Sequence, residues 1–231
     1  MTPRILHAAP LALAALLFVS PAARADDAGA FRAALAAADA RDWPAAVAQA
    51  GAAGPIATAV IDWERLRARK GGFDEYVAFL SRHPDWPGLG LLRQKGEAVI
   101  AEDIPAATVV AYFAQARPQT GTGSLALIAA LRAQRQDKAA AEEAVRAWRS
   151  LDLTEAEEAL FLARCGDWLK DQHDGRIAAM LRAGNTAEVT RLLPLASPYT
   201  RAVAEARVAL QTDAEGIDAL IAALPAKAAG S

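Results

Sequence analysis

The feature that most constrains this chain is a repeated apolar stripe with the spacing of one helix face. The stripe occurs at 31, 34, 35 and 38, again at 56, 59, 60 and 63, and in later segments up to Leu193. Hydrophobic residues make up 54% of the chain and aromatic residues 6%, and alanine is the commonest apolar residue. Alanine favours helices over strands, and no segment shows strand-like alternation. The sequence therefore predicts an all-α fold without a β-sheet.

Helix boundaries recur at short intervals. Capping boxes are predicted at Thr154 with Glu157 and at Asn185 with Glu188, and four prolines are placed at first helical turns: Pro44, Pro55, Pro87 and Pro105. Helix starts are expected near 27, 43, 55, 73, 87, 104, 121, 137, 154, 174, 186, 197 and 213. Taken in pairs, these helices give a unit of roughly 30 residues, close to tetratricopeptide-type repeats. We expect a curved α-solenoid of stacked short helical hairpins, with a compact helical bundle as the alternative.

Residues 1–25 are predicted to be a secretory signal peptide. Arg4 supplies a positive start, residues 11–19 form an apolar run, and Ala23 and Ala25 frame a small-residue cleavage site. The apolar run is shorter than the ~20 residues of a membrane span, although an uncleaved anchor is the alternative. No other segment is apolar enough to cross a bilayer. We therefore expect export and no membrane insertion after cleavage.

Charge and metal-ligand composition exclude several function classes. The 25 basic and 27 acidic residues leave a net charge of −2, which argues against a nucleic-acid partner. After residue 25 the chain has two histidines, His83 and His173, and one cysteine, Cys165, so no metal site or cofactor is expected. A lone cysteine is typically buried and inert. Residues 121–124 resemble half of a phosphate loop but follow no predicted strand.

Two pairs of adjacent acids are candidate glycosidase carboxylates. Glu142 with Glu143 and Glu157 with Glu158 lie on alanine-rich helices, where acids usually form the solvated face. We expect them to be structural, and no catalytic residue is predicted.

Tryptophan is unusually frequent for a chain so poor in aromatic residues. Four of the five tryptophans follow an aspartate, and Trp63 and Trp148 lie within apolar stripes, which favours a packing role. A sugar-stacking platform is the alternative. Trp43 and Trp86, each next to a proline, are the candidate glycan-binding residues.

Arginines form the other candidate surface. A basic run covers residues 65–70, and further arginines lie at 132, 135, 146 and 149. Most are expected to pair with acids on the same helix. Convergence on one wall would create a site for an anionic polymer.

An ordered series of segments resembles one known family. The segments are IDWERLR (61–67), FDEYVAFL (73–80), HPDWP (83–87), LLRQKGE (91–97), YF (112–113), PQTG (118–121), AWR (147–149), HDGR (173–176), RLLP (191–194) and DALI (218–221). Together, residues 26–231 resemble the N-terminal superhelical region of soluble lytic murein transglycosylases.

This resemblance implies a periplasmic protein that acts on peptidoglycan. In that family a C-terminal lysozyme-like domain cleaves the MurNAc–GlcNAc bond to a 1,6-anhydro product, using a glutamate in a Glu-Ser dipeptide and a downstream Gly-Leu-Met-Gln motif. Neither motif is present in these 231 residues. We therefore expect residues 26–231 to be an incomplete α-superhelical domain that lacks the catalytic domain and inherits no catalytic residue. The chain would then be either a fragment of a longer enzyme or a truncated, non-catalytic relative.

Three hypotheses follow. The first is a periplasmic scaffold module that contacts peptidoglycan glycan strands and works with a catalytic domain or another cell-wall protein. The second is a tetratricopeptide-like adaptor that binds a protein partner in its groove. The third, weaker hypothesis is a free-standing enzyme.

Overall fold

The computed structural model describes the backbone of residues 21–224 and the side chains of residues 27–224. Within residues 21–224 there are thirteen α-helices, one short 3-10 helix and no strand. The predicted all-α fold is therefore confirmed.

The chain divides into two compact units after Ala68. The first unit contains α1 (Pro21–Asp39), α2 (Trp43–Ala53) and α3 (Pro55–Arg67). The second contains α4 (Phe73–Arg82), α5 (Leu89–Glu97), α6 (Ala106–Tyr112), α7 (Gly121–Ala133), α8 (Asp137–Ser150), α9 (Glu155–Leu169), α10 (His173–Ala183), α11 (Thr186–Leu192), α12 (Pro198–Gln211) and α13 (Ile217–Ala222). A 3-10 helix, Leu193–Leu195, lies between α11 and α12.

Most predicted helix starts agree with the observed ones to within two residues. One exception is α1, which already includes Pro21, the first described residue, whereas its start was predicted near residue 27. The other is α13, which begins only after Gly216, a residue with a φ of 81°. Residues 1–20 lie outside the described residues, and residues 21–25 belong to α1, so the signal peptide stays a prediction.

The sequence signals predicted to mark helix starts are partly confirmed. The capping box of Thr154 and Glu157 is present at the start of α9, and the Asn185 side chain accepts from the Glu188 backbone N–H. Pro55 is the first residue of α3, as predicted. Pro87 and Pro105 instead precede their helices, since α5 begins after the left-handed Gly88 and α6 begins at Ala106.

Alanine dominates the core of the first unit, whose buried residues are Ala34, Ala46, Ala50, Ala57 and Ile61. Side chains this small let helices approach closely. Thr58 Oγ1 on α3 donates to the backbone oxygens of Ala50 (3.3 Å) and Gly54 (3.1 Å), which ties α3 to the end of α2.

In the second unit, most helices pack on their successors, and several also pack on the next helix but one. The consecutive contacts include α6 with α7, α7 with α8, α8 with α9 and α10 with α11, and the alternate ones include α7 with α9, α8 with α10 and α10 with α12. The core contains Trp148, Phe161, Leu169 and Ile177, all fully buried. Trp148 is therefore a packing anchor, as its apolar stripe predicted.

A buried ionic cluster joins α8 to α11. Arg176 on α10 is fully buried and is ion-paired with Glu158 on α9 (3.3 Å) and with Glu188 on α11. Its guanidinium also donates to the backbone oxygens of Trp148 and Leu151. The half-exposed Arg191 pairs with Glu158 at 3.1 Å. These contacts fix four consecutive helices to one another.

The expectation that the adjacent acids lie on solvated faces is wrong for one member of each pair. Glu143 and Glu158 are buried, whereas Glu142 is exposed. Each buried carboxylate has a guanidinium partner, Arg146 for Glu143 and Arg176 for Glu158. Burial is possible because the partner compensates the charge.

Candidate functional site

A groove between α7 and α9 is the candidate site of the second unit. Its first cavity, of about 580 Å³, is lined by α6, α7, α9 and the segment before α6. A middle cavity of about 360 Å³ shares Leu125, Ala129 and Arg164 with the first. A third cavity of about 630 Å³ shares Arg132, Ala163 and Arg164 with the middle one. Because they share lining residues, the three cavities lie next to one another along α7 and α9, and together they are called the groove.

The first half of this groove is mainly apolar. Leu125, Ala129 and Ala133 lie at helical spacing on α7, and Leu160 faces them from α9. The wall is completed by Ile100, Ile104, Ala106 and Val109. Because several α7 positions carry only a methyl group, the space above them stays open. Glu102, Thr122 and Arg164 are the polar residues of this half.

The second half is cationic and aromatic. The guanidinium carbon of Arg132 on α7 lies 5.6 Å from the centre of the Trp168 ring on α9. Arg164, one helical turn before Trp168, lines the same two cavities as Arg132. Both arginines are exposed, and neither has an ion-pair partner among the described side chains. The nearby Asp167 is already paired with Lys170 at 2.7 Å.

Cys165 borders this cationic end, but its side chain is buried. Burial raises the pKa of the thiol, and the charges of Arg132 and Arg164 oppose that rise. The raised pKa keeps the cysteine in the thiol form, which is a poor nucleophile. The expectation of a buried, inert cysteine agrees with this position.

A set of buried polar contacts holds the start of α7, and so the groove wall, in place. The carboxylate of Glu97 on α5 accepts from the backbone N–H groups of Gln119 and Thr120, both at 2.8 Å, and from Thr120 Oγ1 at 2.6 Å. The pKa of Glu97 lies above its ordinary value, because burial raises it by more than these hydrogen bonds lower it. Because both carboxylate oxygens of Glu97 accept hydrogen bonds from the residues directly before α7, Glu97 has a structural role.

Glu157 ties α7 to α9 in the same region. Its carboxylate accepts from the Thr122 backbone N–H at 2.7 Å and from Thr154 Oγ1 at 2.9 Å. One residue therefore closes the capping box of α9 and satisfies a free N–H at the start of α7. Farther along, Ser124 and Arg146 both bind Glu143 and join α7 to α8.

The predicted glycan-binding residues lie outside the groove. Trp43 is the first residue of α2 in the first unit, where it is half-buried and its Nε1 has no hydrogen-bond partner. Trp86 belongs to the second unit and packs on Phe79 and His83, with ring centroids 5.8 and 5.1 Å away. Within the second unit, Trp86 does not line the groove with Arg132 and Arg164, and a glycan contact by Trp43 or Trp86 stays a prediction.

The predicted arginine set separates into different environments. Arg146 is engaged by Glu143 and by the backbone oxygen of Pro118. Arg132 alone of the four reaches the groove, beside Arg164, which the sequence did not single out. A possible signal was the helical spacing of Arg164 and Trp168 on one face of α9.

No group of three histidine, cysteine or acidic side chains within residues 27–224 is arranged to hold a metal ion. Across the described helices, none is both long and apolar enough to span a bilayer. Comparison with known protein families, with curated proteins and with solved structures finds no match.

Proposed function

We propose that this chain is a periplasmic helical scaffold module that contacts peptidoglycan, comparable to the N-terminal region of soluble lytic murein transglycosylases. The proposal rests on the groove between α7 and α9, and above all on Trp168 with Arg132 and Arg164. Guanidinium groups bind carboxylates, and an indole ring beside a guanidinium orients it through a cation–π contact. Peptidoglycan offers such carboxylates, because its glycan strands carry acidic stem peptides.

The helix packing in the second unit supports a scaffold role. Contacts to the next helix and to the next but one are the pattern expected of stacked helical hairpins. We infer a solenoid of tetratricopeptide type for this unit, in which each hairpin is buried only by its neighbours. Such solenoids present extended binding surfaces, which suit a polymer.

The engagement of the buried carboxylates supports a binding role over catalysis. Glu97 and Glu143 each hold the start or the side of α7, and Glu158 holds Arg176. A glycosidic general acid needs a carboxyl group that can reach the substrate oxygen. We expect the purified chain to release no muropeptides from peptidoglycan.

Sedimentation with insoluble peptidoglycan tests this function. The protein is purified in the form that the cell produces. It is expected to co-sediment with peptidoglycan at low salt and to be released as added salt screens the charges of the arginines. Arg132→Ala with Arg164→Ala is expected to lose about tenfold in affinity. Arg182→Ala with Arg207→Ala, two exposed substitutions on α10 and α12 outside the groove, is the matched charge control. Absence of wild-type retention at low salt would show that the proposal is wrong.

The apolar half of the groove favours a second candidate, an adaptor that binds a protein segment. Leu125, Leu160 and Val109 border a cavity large enough for several side chains. In-cell crosslinking from Ala133→Cys, placed at this wall, separates the candidates. One dominant crosslinked protein supports the adaptor, whereas crosslinks only to peptidoglycan fragments support the scaffold.

A further inference from the structure

We propose that the groove between α7 and α9 binds the acidic stem peptide of peptidoglycan and not the sugar rings. This inference rests on the proposed function and specifies which part of the polymer is recognised. It is drawn from the division of the groove into an apolar half and a cationic half.

The apolar half offers little to a sugar. A sugar ring presents hydroxyl groups all around its edge, and each buried hydroxyl needs a hydrogen-bond partner. Between Ile100 and Leu160 the lining is mostly aliphatic. Its polar side chains are Glu102, Thr122, whose hydroxyl already donates to Glu157, and Arg164, which it shares with the cationic half. Small apolar side chains, such as the methyl groups of alanyl residues, match this surface because they need van der Waals contact and no hydrogen-bond partner.

The cationic half offers carboxylate sites. Arg132 and Arg164 line the same two cavities and are not neutralised by any described carboxylate, since Asp167 is paired with Lys170. A guanidinium binds a carboxylate through two parallel hydrogen bonds, and exposed arginines retain these donors for a ligand. The paired arginines therefore favour a ligand that carries more than one carboxylate.

Trp168 also favours the peptide. The Arg132 guanidinium lies 5.6 Å from the centre of its ring, and the ring is only half-exposed. The indole therefore orients Arg132 by a cation–π contact, and a sugar would have to displace that contact to stack there. Trp168 acts as a positioning residue for Arg132.

A ligand in this groove thus has a defined direction. Its small apolar side chains lie over α7 near Leu125 and Ala129, and its carboxylates lie at the end formed by Arg132, Arg164 and Trp168. Acidic stem peptides, which combine alanyl methyl groups with several carboxylates, have this composition.

The test compares intact sacculi with sacculi from which an amidase has removed the stem peptides. The full chain is expected to bind the stripped glycan at least about tenfold more weakly, and Arg132→Ala with Arg164→Ala to abolish the difference. Ala129→Phe, which fills the apolar half from an exposed position, is expected to weaken binding to intact sacculi, with Ala129→Ser as its control. Circular dichroism establishes that each variant keeps its helix content.

Each result decides between the two proposals. Equal retention on intact and stripped sacculi overturns the peptide inference and leaves the scaffold function standing. Retention on neither contradicts the scaffold function, and calorimetric titration with the released stem peptides then tests the peptide inference alone. In that titration, binding that depends on Arg132 and Arg164 supports the inference, and absence of binding overturns it.

Discussion

The guanidinium carbon of Arg176 lies 4.6 Å from the centre of the Trp148 ring, and both side chains are fully buried. Arg176 also compensates two buried carboxylates, those of Glu158 and Glu188. This arrangement gives the second unit a cation at the junction of α8, α9, α10 and α11. Removing one member of such a cluster leaves an unpaired charge in the interior, which is far more costly than losing an exposed ion pair.

Arg176→Met is therefore expected to lower the free energy of unfolding by about 3–5 kcal/mol. Methionine retains much of the length and apolar volume of arginine, so the loss reports the uncompensated carboxylates more than a cavity. Urea denaturation measures it.

The exposed Arg182→Ala, on the same helix, is the control and is expected to change stability by at most about 0.5 kcal/mol. Adding Glu188→Gln to Arg176→Met should recover part of the loss, because one unpaired charge is then removed. Equal costs for Arg176→Met and Arg182→Ala would contradict the buried cluster.

The same cluster predicts a pH dependence of stability. Burial raises the pKa of Glu188 to about 7 from its ordinary value of 4.5, while the charge of Arg176 opposes the rise. Between these values the folded chain keeps a proton that the unfolded chain has lost. The contribution of Glu188 to stability is therefore fully present below its ordinary pKa and is lost as the pH rises through about 7.

Urea denaturation across this pH range, for the wild type and for Glu188→Gln, isolates that contribution. The free energy of unfolding of the wild type should fall relative to the variant as the pH rises toward 7. The exposed Glu142→Gln is the control and should run parallel to the wild type. A constant difference between wild type and Glu188→Gln over the whole range would refute the prediction.

How much the sequence could predict follows from how local each signal is. The Thr154–Glu157 capping box is contained in four consecutive residues, and apolar stripes depend only on helix periodicity, so helix positions were predictable. The burial of Glu158 was not, because its partner Arg176 belongs to another helix. A surface acid and a buried, paired acid have the same local sequence pattern.

The groove was only partly predictable for the same reason. Arg132 belongs to the predicted arginine surface, and Trp168 is one of four tryptophans that follow an aspartate. Their contact, however, depends on how α7 packs against α9. The sequence around Arg164 has no pattern that distinguishes it from other surface arginines. Trp43 and Trp86 were predicted to bind glycan because each lies next to a proline. A neighbouring proline indicates a turn, but it does not indicate which surface a ligand can reach.

Glu157→Ala is expected to lower the free energy of unfolding by about 1–2 kcal/mol, because it removes acceptors at the starts of both α7 and α9. Partial burial raises the pKa of Glu157, but hydrogen bonds from Thr154 and Thr122 outweigh it and hold that pKa below its ordinary value. The stabilisation is therefore present above the ordinary pKa and lost as the pH falls through the folded value.

Thermal denaturation at neutral and acidic pH checks this, with Glu155→Ala as the control. Glu155 also lies in the first turn of α9, so it shares the helix-dipole contribution, but it lacks the contacts to Thr122 and Thr154. Equal effects of the two substitutions would reduce the role of Glu157 to its charge near the helix start.

Two glycines provide the last prediction, since the same substitution should have opposite effects at the two positions. A Cβ at Gly123, in the first turn of α7, would overlap the carboxylate of Glu97. That carboxylate is buried and held by hydrogen bonds from Gln119 and Thr120, so it cannot move aside without losing them. We expect Gly123→Ala to lower the free energy of unfolding by about 1–3 kcal/mol.

At Gly166, inside α9, no atom lies within 4 Å of an added Cβ, so Gly166→Ala should stabilise the chain by about 0.5–1 kcal/mol through helix propensity. Urea denaturation of both variants measures the two signs, and a stabilising Gly123→Ala would show that Glu97 does not lie against α7.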